Sequence, residues 1–245
     1  LQFHCNRCLA VDIGGTWIRA ATFEGMQLVG EPVREPLPID PSERLIWIRT
    51  HAELAQVERV SISTGGVVDP RTSAVTEAKD IIPGHVGTDF RAGLPGLEVF
   101  ALNDGLATAW GHACHPDYAG KRVATLALGT GVGCGLVDRG RIIAGPDGDY
   151  PRINDLPTPS GASFESLLGG AALTPQPTAS QQSQAREAAK IAVDMIAKLF
   201  HPDAIVLCGG VGLAPWLDLG LPSSPYRENA GLFGAAAISA FPPTF

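Results

Sequence analysis

The sequence predicts an α/β protein made of two related lobes. Strand-like and helix-like segments alternate along the 245 residues, and glycines stand where the apolar strands end. A pattern of three strands at residues 9–30 returns at residues 122–144, which indicates internal pseudo-symmetry. We therefore predict one lobe over residues 1–103 and a second over residues 104–245, whose last helix packs back toward the first lobe. In such proteins ligands bind on the turns that follow the strands.

The first lobe is predicted to begin with an antiparallel meander. Two strands flank the glycine turn at residues 12–16, and a third follows the tight turn at Glu24-Gly25. Residues 41–56 carry apolar side chains at helical spacing and are predicted to form a helix. Two more strands follow at 57–69, with Gly65-Gly66, and at 96–104, which ends at Asn103-Asp104 and leads into a helix.

The second lobe is predicted to repeat this order after Lys121. Strands are expected at 122–130, 133–140 and 141–145. Residues 145–180 are rich in Pro, Gly, Ser and Thr and are predicted to be mostly loop, with a short helix at 164–168. A helix at 184–200, a strand at 203–215 and a closing helix at 229–241 complete the lobe.

The overall composition disfavours two classes of partner. A net charge of -7 leaves no basic field to neutralise a nucleic-acid backbone. The longest apolar stretch, residues 123–137, is interrupted by four glycines and is too short to span a bilayer, which takes about 20 residues. We therefore expect neither nucleic acid nor membrane as a partner.

The cysteines favour a reducing, cytoplasmic location. There are five, an odd number, spread widely in a chain without a signal-peptide pattern. Cys5 and Cys8 have the spacing of half a zinc site, but no second pair follows at a usual distance. We predict that this segment is an ordinary chain terminus.

Three glycine turns are the candidate ligand sites: "DIGGT" (12–16), "LGTGVG" (128–133) and "CGGVG" (208–212). Successive backbone N–H groups in such turns can bind anionic oxygens, and glycine permits a ligand to approach closely. A single turn of this kind is more often a plain hairpin. Neither a P-loop nor a G-x-G-x-x-G motif between strand and helix is present.

Five motifs in order carry a resemblance to a known family. "DIGGTWIRAA", "LNDGLATAWGHA", "LALGTGVGCGLV", "LCGGVGLAP" and "YRENAGLFGAAAIS" resemble the ROK (repressor, open reading frame, kinase) family over about residues 9–240. The resemblance implies a two-lobed actin-like ATPase (ribonuclease H-like) fold with duplicated βββαβα lobes. The chain looks most like the N-acetylmannosamine kinases of that family, with its glucokinases as the alternative.

The resemblance implies ATP and Mg²⁺ as cofactors. Asp12 would orient the Mg²⁺ shell through water, and a single carboxylate is enough for such a site. The remaining donor-side residues that the resemblance implies are Gly14, Gly15 and Thr16 in the first phosphate turn, Gly129, Thr130, Gly131 and Gly133 in the second, and Gly209 and Gly210 on the adenosine side.

The resemblance also implies an acceptor site for a hexose or an N-acetylhexosamine. Asp104 matches the general base, which accepts the proton of the sugar hydroxyl. Both Asn103 and Asp104 are also typical helix N-caps, and the two roles are compatible. The other implied sugar-binding residues are Gly65, Asn103, Asp80, Asp155 and Glu165.

The sequence departs from the family pattern at several of these positions. Arg152 lies near a usual Glu or His and Asp155 near a usual His, while Glu165 is kept, although a solvated helix residue is its other interpretation. No cysteine lies between Cys134 and Cys208, where the family has a zinc loop, so we predict no structural zinc site. Trp17 replaces a lysine that follows the Thr in many relatives.

Two other functions remain to be weighed against a sugar kinase. Repressors of the family carry a DNA-binding domain before the first turn, and only eleven residues precede Asp12, which disfavours that class. A catalytically impaired protein that binds sugar or nucleotide is favoured by Arg152, Asp155 and the missing cysteines. The resemblance further implies a homodimer.

Overall fold

Two mixed β-sheets organise the chain in the computed structural model, which describes residues 7–79, 81–173 and 176–245. The first half of the chain contains, in order, β1 (Arg7–Ile13), β2 (Trp17–Glu24), β3 (Gln27–Pro36), α1 (Pro41–Leu54), β4 (Arg59–Thr64), β5 (Val67–Asp69), β6 (Ala74–Glu77), α2 (Phe90–Gly93), β7 (Glu98–Asn103) and α3 (Asp104–Ala113). The strand order of the first sheet is β3-β2-β1-β4-β7. The first three strands are antiparallel, and β4 and β7 run parallel to β1. The predicted meander is confirmed.

The second half of the chain repeats most of this topology. It contains β8 (Arg122–Leu128), β9 (Val132–Asp138), β10 (Arg141–Ile142), α4 (Phe164–Leu168), α5 (Ala179–Phe200), β11 (Ala204–Cys208), α6 (Gly209–Gly212) and α7 (Ala230–Ala240). The order β10-β9-β8-β11 matches β3-β2-β1-β4, and β11 is parallel to β8. The first sheet differs by its additional strand β7. The predicted short helix at 164–168 is confirmed as α4.

Helix α5 covers the second sheet and begins earlier than the predicted residue 184. Thr178 caps it, and Gln181 completes a capping box with the Thr178 backbone, so the helix starts at Ala179. Its small buried face, which includes Ala188 and Ala192, packs into the core of the second half. No helix in the described ranges combines the length and the apolarity that a bilayer crossing requires.

Glycines that turn the chain end two of the predicted strands early. The strand predicted over 57–69 ends at Thr64, and Gly66 has a φ of 93°, where a Cβ would lie 2.5 Å from the Glu77 carbonyl oxygen. The chain then forms an unpredicted hairpin of β5 and β6. Likewise, the strand predicted over 203–215 ends at Cys208 and gives way to α6.

A buried arginine of α1 links the segment before this helix to the loop that contains Pro83. Arg44 of α1 is 2% exposed and donates hydrogen bonds to the carbonyl oxygens of Pro38 and Ile39, at 2.7 and 2.6 Å, and to that of Pro83. His85 lies 2.8 Å from the Thr64 hydroxyl, through Nε2, and burial together with the nearby Arg44 charge lowers its pKa to about 4. The loop that contains Ile81, Pro83 and His85 is therefore fixed against α1 and the end of β4.

Helices α3 and α7 connect the two halves. Helix α3 packs on β8 and β9 of the second sheet, whereas α7 packs on β1 and β4 of the first sheet and against α3. The helix backbones approach closely, because a Cβ at Gly111 would lie 2.9 Å from the Gly234 Cα atom. The Trp110 indole N–H donates to the Phe241 carbonyl oxygen at 2.8 Å and closes the end of the pair. The division of lobes between residues 103 and 104 stays a prediction.

We expect Gly234→Ala to destabilise the protein by about 1–3 kcal/mol, the usual cost of overpacking a core contact. The added methyl would lie 2.6 Å from the Ala107 carbonyl oxygen, which belongs to helix backbone and cannot move freely. Denaturant unfolding measures the change. Gly210→Ala is the matched control, because its methyl meets no heavy atom within 4 Å. Equal stability of the two variants would contradict this close packing.

Candidate active site

A cleft of about 900 Å³ lies between the two sheets, where β1, β4, β8 and β11 end. Asn103 does not line the cleft, and Asp80 lies outside the described residues. The other predicted ligand-binding and catalytic residues all line it: Asp12, Gly14, Gly15, Thr16, Gly65, Asp104, Gly129, Thr130, Gly131, Gly133, Asp155, Glu165, Gly209 and Gly210. The fold thus collects these sequence-distant positions into one cavity.

The three glycine turns lie close together in this cleft. A Cβ at Gly15, in the β1–β2 turn, would be 3.6 Å from the Thr130 methyl carbon of the β8–β9 turn. Gly209 has a φ of 81°, and a Cβ there would lie 2.4 Å from the Leu128 carbonyl oxygen, so only glycine fits. The first two turns are therefore in near contact, and the third adjoins the base of the second.

Asp12 is held at the end of β1 by groups from three elements. Arg19 of β2 donates from Nε to Oδ2 at 3.1 Å and from Nη2 to the same oxygen, while Ser63 of β4 donates to Oδ1 at 3.2 Å. A Cβ at Gly231, near the start of α7, would lie 2.5 Å from the carboxylate. Arg19 also donates to the Glu228 carbonyl oxygen. The Asp12 carboxylate is thus both paired and tightly positioned.

Asp104 opens helix α3 and faces the cleft. Its Oδ1 accepts hydrogen bonds from the Gly105 N–H at 2.8 Å and from the Asn103 amide at 3.1 Å. Burial raises the pKa of Asp104 to about 6, and the negative charges of Asp12 and Glu165 act in the same direction. The result is a carboxylate more basic than usual that is still ionised at neutral pH.

Asn103 supports Asp104 from behind and caps the helix. Its amide oxygen accepts from the N–H groups of Gly105 and Leu106 at 2.9 and 3.2 Å, and its amide nitrogen donates to the Gly66 carbonyl oxygen at 2.8 Å. The N-cap interpretation is therefore confirmed. With the side chain 1% exposed and its amide fully used inside the protein, the geometry favours a positioning role over direct sugar contact.

Lys79 was not among the predicted site residues, although it directly precedes the predicted sugar-binding residue Asp80. It follows β6 and reaches across the cleft, where its ammonium donates to Asp155 at 2.6 Å and to Glu165 at 3.3 Å. Asn154 donates to the same Glu165 oxygen at 3.0 Å. Glu165 also lies against the second turn, because a Cβ at Gly131 would be 2.5 Å from its Oε1. Glu165 is thus a helix residue whose side chain, 26% exposed, is paired inside the cleft.

Arg152 joins the two halves at the same side of the cleft. Its guanidinium makes a bidentate pair with Glu77, with one N–O distance of 2.8 Å, and Nε donates to Asp149 at 2.8 Å. The guanidinium carbon lies 5.6 Å from the centre of the Tyr150 ring, which also lines the cleft. The hairpin β5–β6, which the sequence did not predict, supplies the first-half partner.

The donor chemistry of Asp12 fits a magnesium ion. Mg²⁺ binds through one or two carboxylates, keeps several waters and takes its other ligands from phosphate oxygens. Asp12 is such a carboxylate, and it lines the cleft beside the glycine turn of Gly14, Gly15 and Thr16. No group of three or more His, Cys, Asp or Glu side chains suited to a metal occurs among the residues that the structure describes. The expected absence of structural zinc stays a prediction.

Two sheets of matching strand order, with glycine turns meeting in the cleft between them, define a two-lobed protein of the actin-like ATPase fold. The family model described as "ROK family" matches residues 8–153. The chain belongs to the ROK family.

Several known proteins are similar to this chain. The bifunctional enzyme NanE/NanK of Brucella melitensis is 28% identical over 95% of the chain, and the chain spans about half, 54%, of that relative. N-acetylmannosamine kinase of Citrobacter koseri is 25% identical over 94% of the chain and 98% of the relative. Among solved structures, the ROK hexokinase of Thermus thermophilus has a TM-score of 0.74 at 26% identity, with 96% of this chain and 98% of that chain covered.

We expect Asp104→Asn to raise the melting temperature at pH 8 by more than at pH 4. The folded-state pKa of about 6 exceeds the ordinary 3.8, so the folded protein binds the proton more tightly and loses stability as the pH rises through this window. The amide avoids that loss while keeping an acceptor for the Gly105 N–H. Thermal scans at both pH values measure the difference, and a variant that is destabilised more at pH 8 would contradict the raised pKa.

Proposed function

We propose that this protein is an ATP-dependent sugar kinase that phosphorylates a hydroxyl of a hexose or an N-acetylhexosamine. One observation carries the proposal: the basic carboxylate Asp104 lies in the same cleft as the glycine turns that are suited to phosphates. Membership of the ROK family and the similarity to an N-acetylmannosamine kinase support it. A glucokinase activity is the alternative, which the similarity to a glucokinase of Aeropyrum pernix supports.

On the donor side, we propose that the first two turns bind the phosphates of ATP. Gly14, Gly15 and Thr16 line one wall, and Gly129, Thr130, Gly131 and Gly133 the other. The N–H groups of Gly14 and Gly129 close these turns by donating to the carbonyl oxygens of Trp17 and Gly131, at 2.9 and 3.0 Å. Other backbone N–H groups of the turns and the threonine hydroxyls act on the phosphates. Gly209 and Gly210 adjoin the adenosine, next to a less polar part of the cleft that includes Val211 and Trp216. Asp12 would hold Mg²⁺, which when bound would neutralise part of the phosphate charge.

On the acceptor side, we propose that Asp104 is the general base. Its carboxylate takes the proton of the sugar hydroxyl while that oxygen bonds to the γ-phosphorus, and the bond from this phosphorus to the β–γ bridging oxygen breaks to release ADP. Asn103 holds the base through its 3.1 Å hydrogen bond. Gly65, Asp155 and Glu165 contact the sugar, and Lys79 orients the last two.

The cellular compartment, the oligomeric state and one further sugar ligand are also proposals. We propose a reducing, cytoplasmic compartment, because Cys8, Cys114, Cys134 and Cys208 are free thiols. We propose a homodimer on the family resemblance, which sedimentation velocity would test. Asp80 is proposed as a further sugar ligand on the same resemblance.

We expect Asp104→Asn to lower kcat at least about a hundredfold while ATP and sugar still bind, because an amide cannot accept the hydroxyl proton. Steady-state kinetics and calorimetry measure the two effects. Asp147→Asn is the matched control, since this carboxylate pairs with Arg71 and does not line the cleft. Near-normal turnover of Asp104→Asn would remove Asp104 from the role of base.

We also expect kcat/KM of the wild-type protein to fall as the pH drops through about 6, because protonation of Asp104 removes the base. A pH profile between 5 and 9, measured at saturating ATP, tests this. A profile that stays flat down to pH 5 would contradict the assignment.

Lys79→Met should raise the KM for the sugar about tenfold, the usual effect of losing a hydrogen bond to a charged group, with the KM for ATP unchanged. Without the ammonium, Asp155 and Glu165 lose their shared partner and their orientation. Arg71→Met is the matched control, because it breaks ion pairs outside the cleft. Equal effects of the two substitutions would argue against an acceptor site at Lys79.

A coupled assay of ADP release across N-acetylmannosamine, glucose and N-acetylglucosamine tests the proposed function as a whole. Sugar-dependent ADP release is the expected result, and the preferred sugar separates the two kinase alternatives. Sugar binding by calorimetry without ADP release would instead support the impaired binding protein, which the Arg152–Glu77 pair beside the acceptor site favours.

A further inference from the structure

Two arginines lie opposite each other on the wall of the cleft. In the antiparallel pairing of β2 and β3, Arg19 is the direct partner of Arg34, and both side chains line the cleft. Directly opposed like charges on one sheet face destabilise the pairing unless anions compensate them. Arg19 has its anion in Asp12. Within residues 7–79, 81–173 and 176–245, no acidic side chain pairs with Arg34.

Trp17 holds the uncompensated arginine in place. The guanidinium carbon of Arg34 lies 3.9 Å from the centre of the Trp17 ring, which is a close cation–π contact. Trp17 is 39% exposed, so the ring is not buried in the core. It directly follows Thr16, the last residue of the first glycine turn. The stack therefore positions an unpaired guanidinium beside that turn, at the edge of the cleft.

We propose that Arg34, stacked on Trp17, binds phosphate oxygens of the phosphoryl donor. A guanidinium offers two parallel N–H groups that match the oxygens of a phosphate, and a bound phosphate supplies the anion that the opposed arginines lack. The stack limits the rotation of Arg34 before the ligand binds, which reduces the entropy lost on binding. Trp17 is thus a positioning residue, and Arg34 contacts the donor.

The proposal rests on the proposed kinase function for the identity of the donor but is tested by binding alone. Calorimetry measures the affinity of the wild-type protein for a non-hydrolysable ATP analogue with Mg²⁺, for inorganic tripolyphosphate and for adenosine. We expect Arg34→Gln to weaken binding of the analogue and of tripolyphosphate about tenfold, with adenosine unchanged. Arg34→Lys should recover part of the loss, because it restores the charge but not the paired N–H groups.

Two further variants separate ligand binding from a surface contact. Trp17→Leu should weaken phosphate binding less than Arg34→Gln, because it removes the support and keeps the charge. Arg141→Gln is the matched control, an exposed strand arginine that does not line the cleft. The phosphate ligands should also change the tryptophan fluorescence of the wild-type protein. The change should be smaller in Trp17→Phe.

The outcomes distinguish this proposal from the proposed function. Unchanged affinity of Arg34→Gln for both phosphate ligands, or a wild-type protein that binds neither, would overturn the role of Arg34. A wild-type protein that binds them with the expected loss in Arg34→Gln, but shows no sugar-dependent ADP release, would sink the kinase activity and leave the role of Arg34 standing.

Discussion

The close contact between helices α3 and α7 is the constraint on which the cleft depends. The helices pack on different sheets, yet their backbones meet at Gly111 and Gly234, where no larger side chain fits. Asp104 is the first residue of α3, and Gly231 near the start of α7 lies against the Asp12 carboxylate. The distance between the Asp12 and Asp104 carboxylates, one from each side of the cleft, therefore depends on how closely the two helices pack.

The distribution of charge follows from that arrangement. Burial chiefly raises the pKa of Asp104, and the negative charges of Asp12 and Glu165 in the same cavity add to that rise. Arg19 and Lys79 offset part of this negative charge, Arg19 at Asp12 and Lys79 at Asp155 and Glu165. The cleft thus contains a carboxylate that is basic enough to take a proton without being permanently protonated at neutral pH.

The secondary structure was largely predictable, and its errors have local causes. Apolar spacing and glycine turns identified both meanders, and helix α4 was placed correctly. The hairpin β5–β6 was missed because its four-residue strand β6, with two exposed residues, has little apolar pattern, and its register depends on the backbone of Gly66. Arg44 was missed as a core residue because its burial depends in part on the carbonyl group of Pro83, which is 39 residues along the chain.

The sequence alone determined the order of the glycine turns, the family resemblance and Asp104 as the candidate base, because each depends on a short run of adjacent residues. Tertiary structure decided the rest. The Lys79 contacts with Asp155 and Glu165, the pairing of Arg19 with Asp12 and the stack of Arg34 on Trp17 join separate elements. No local pattern encodes such contacts, because they depend on the sheet register and on the packing that brings the two halves together.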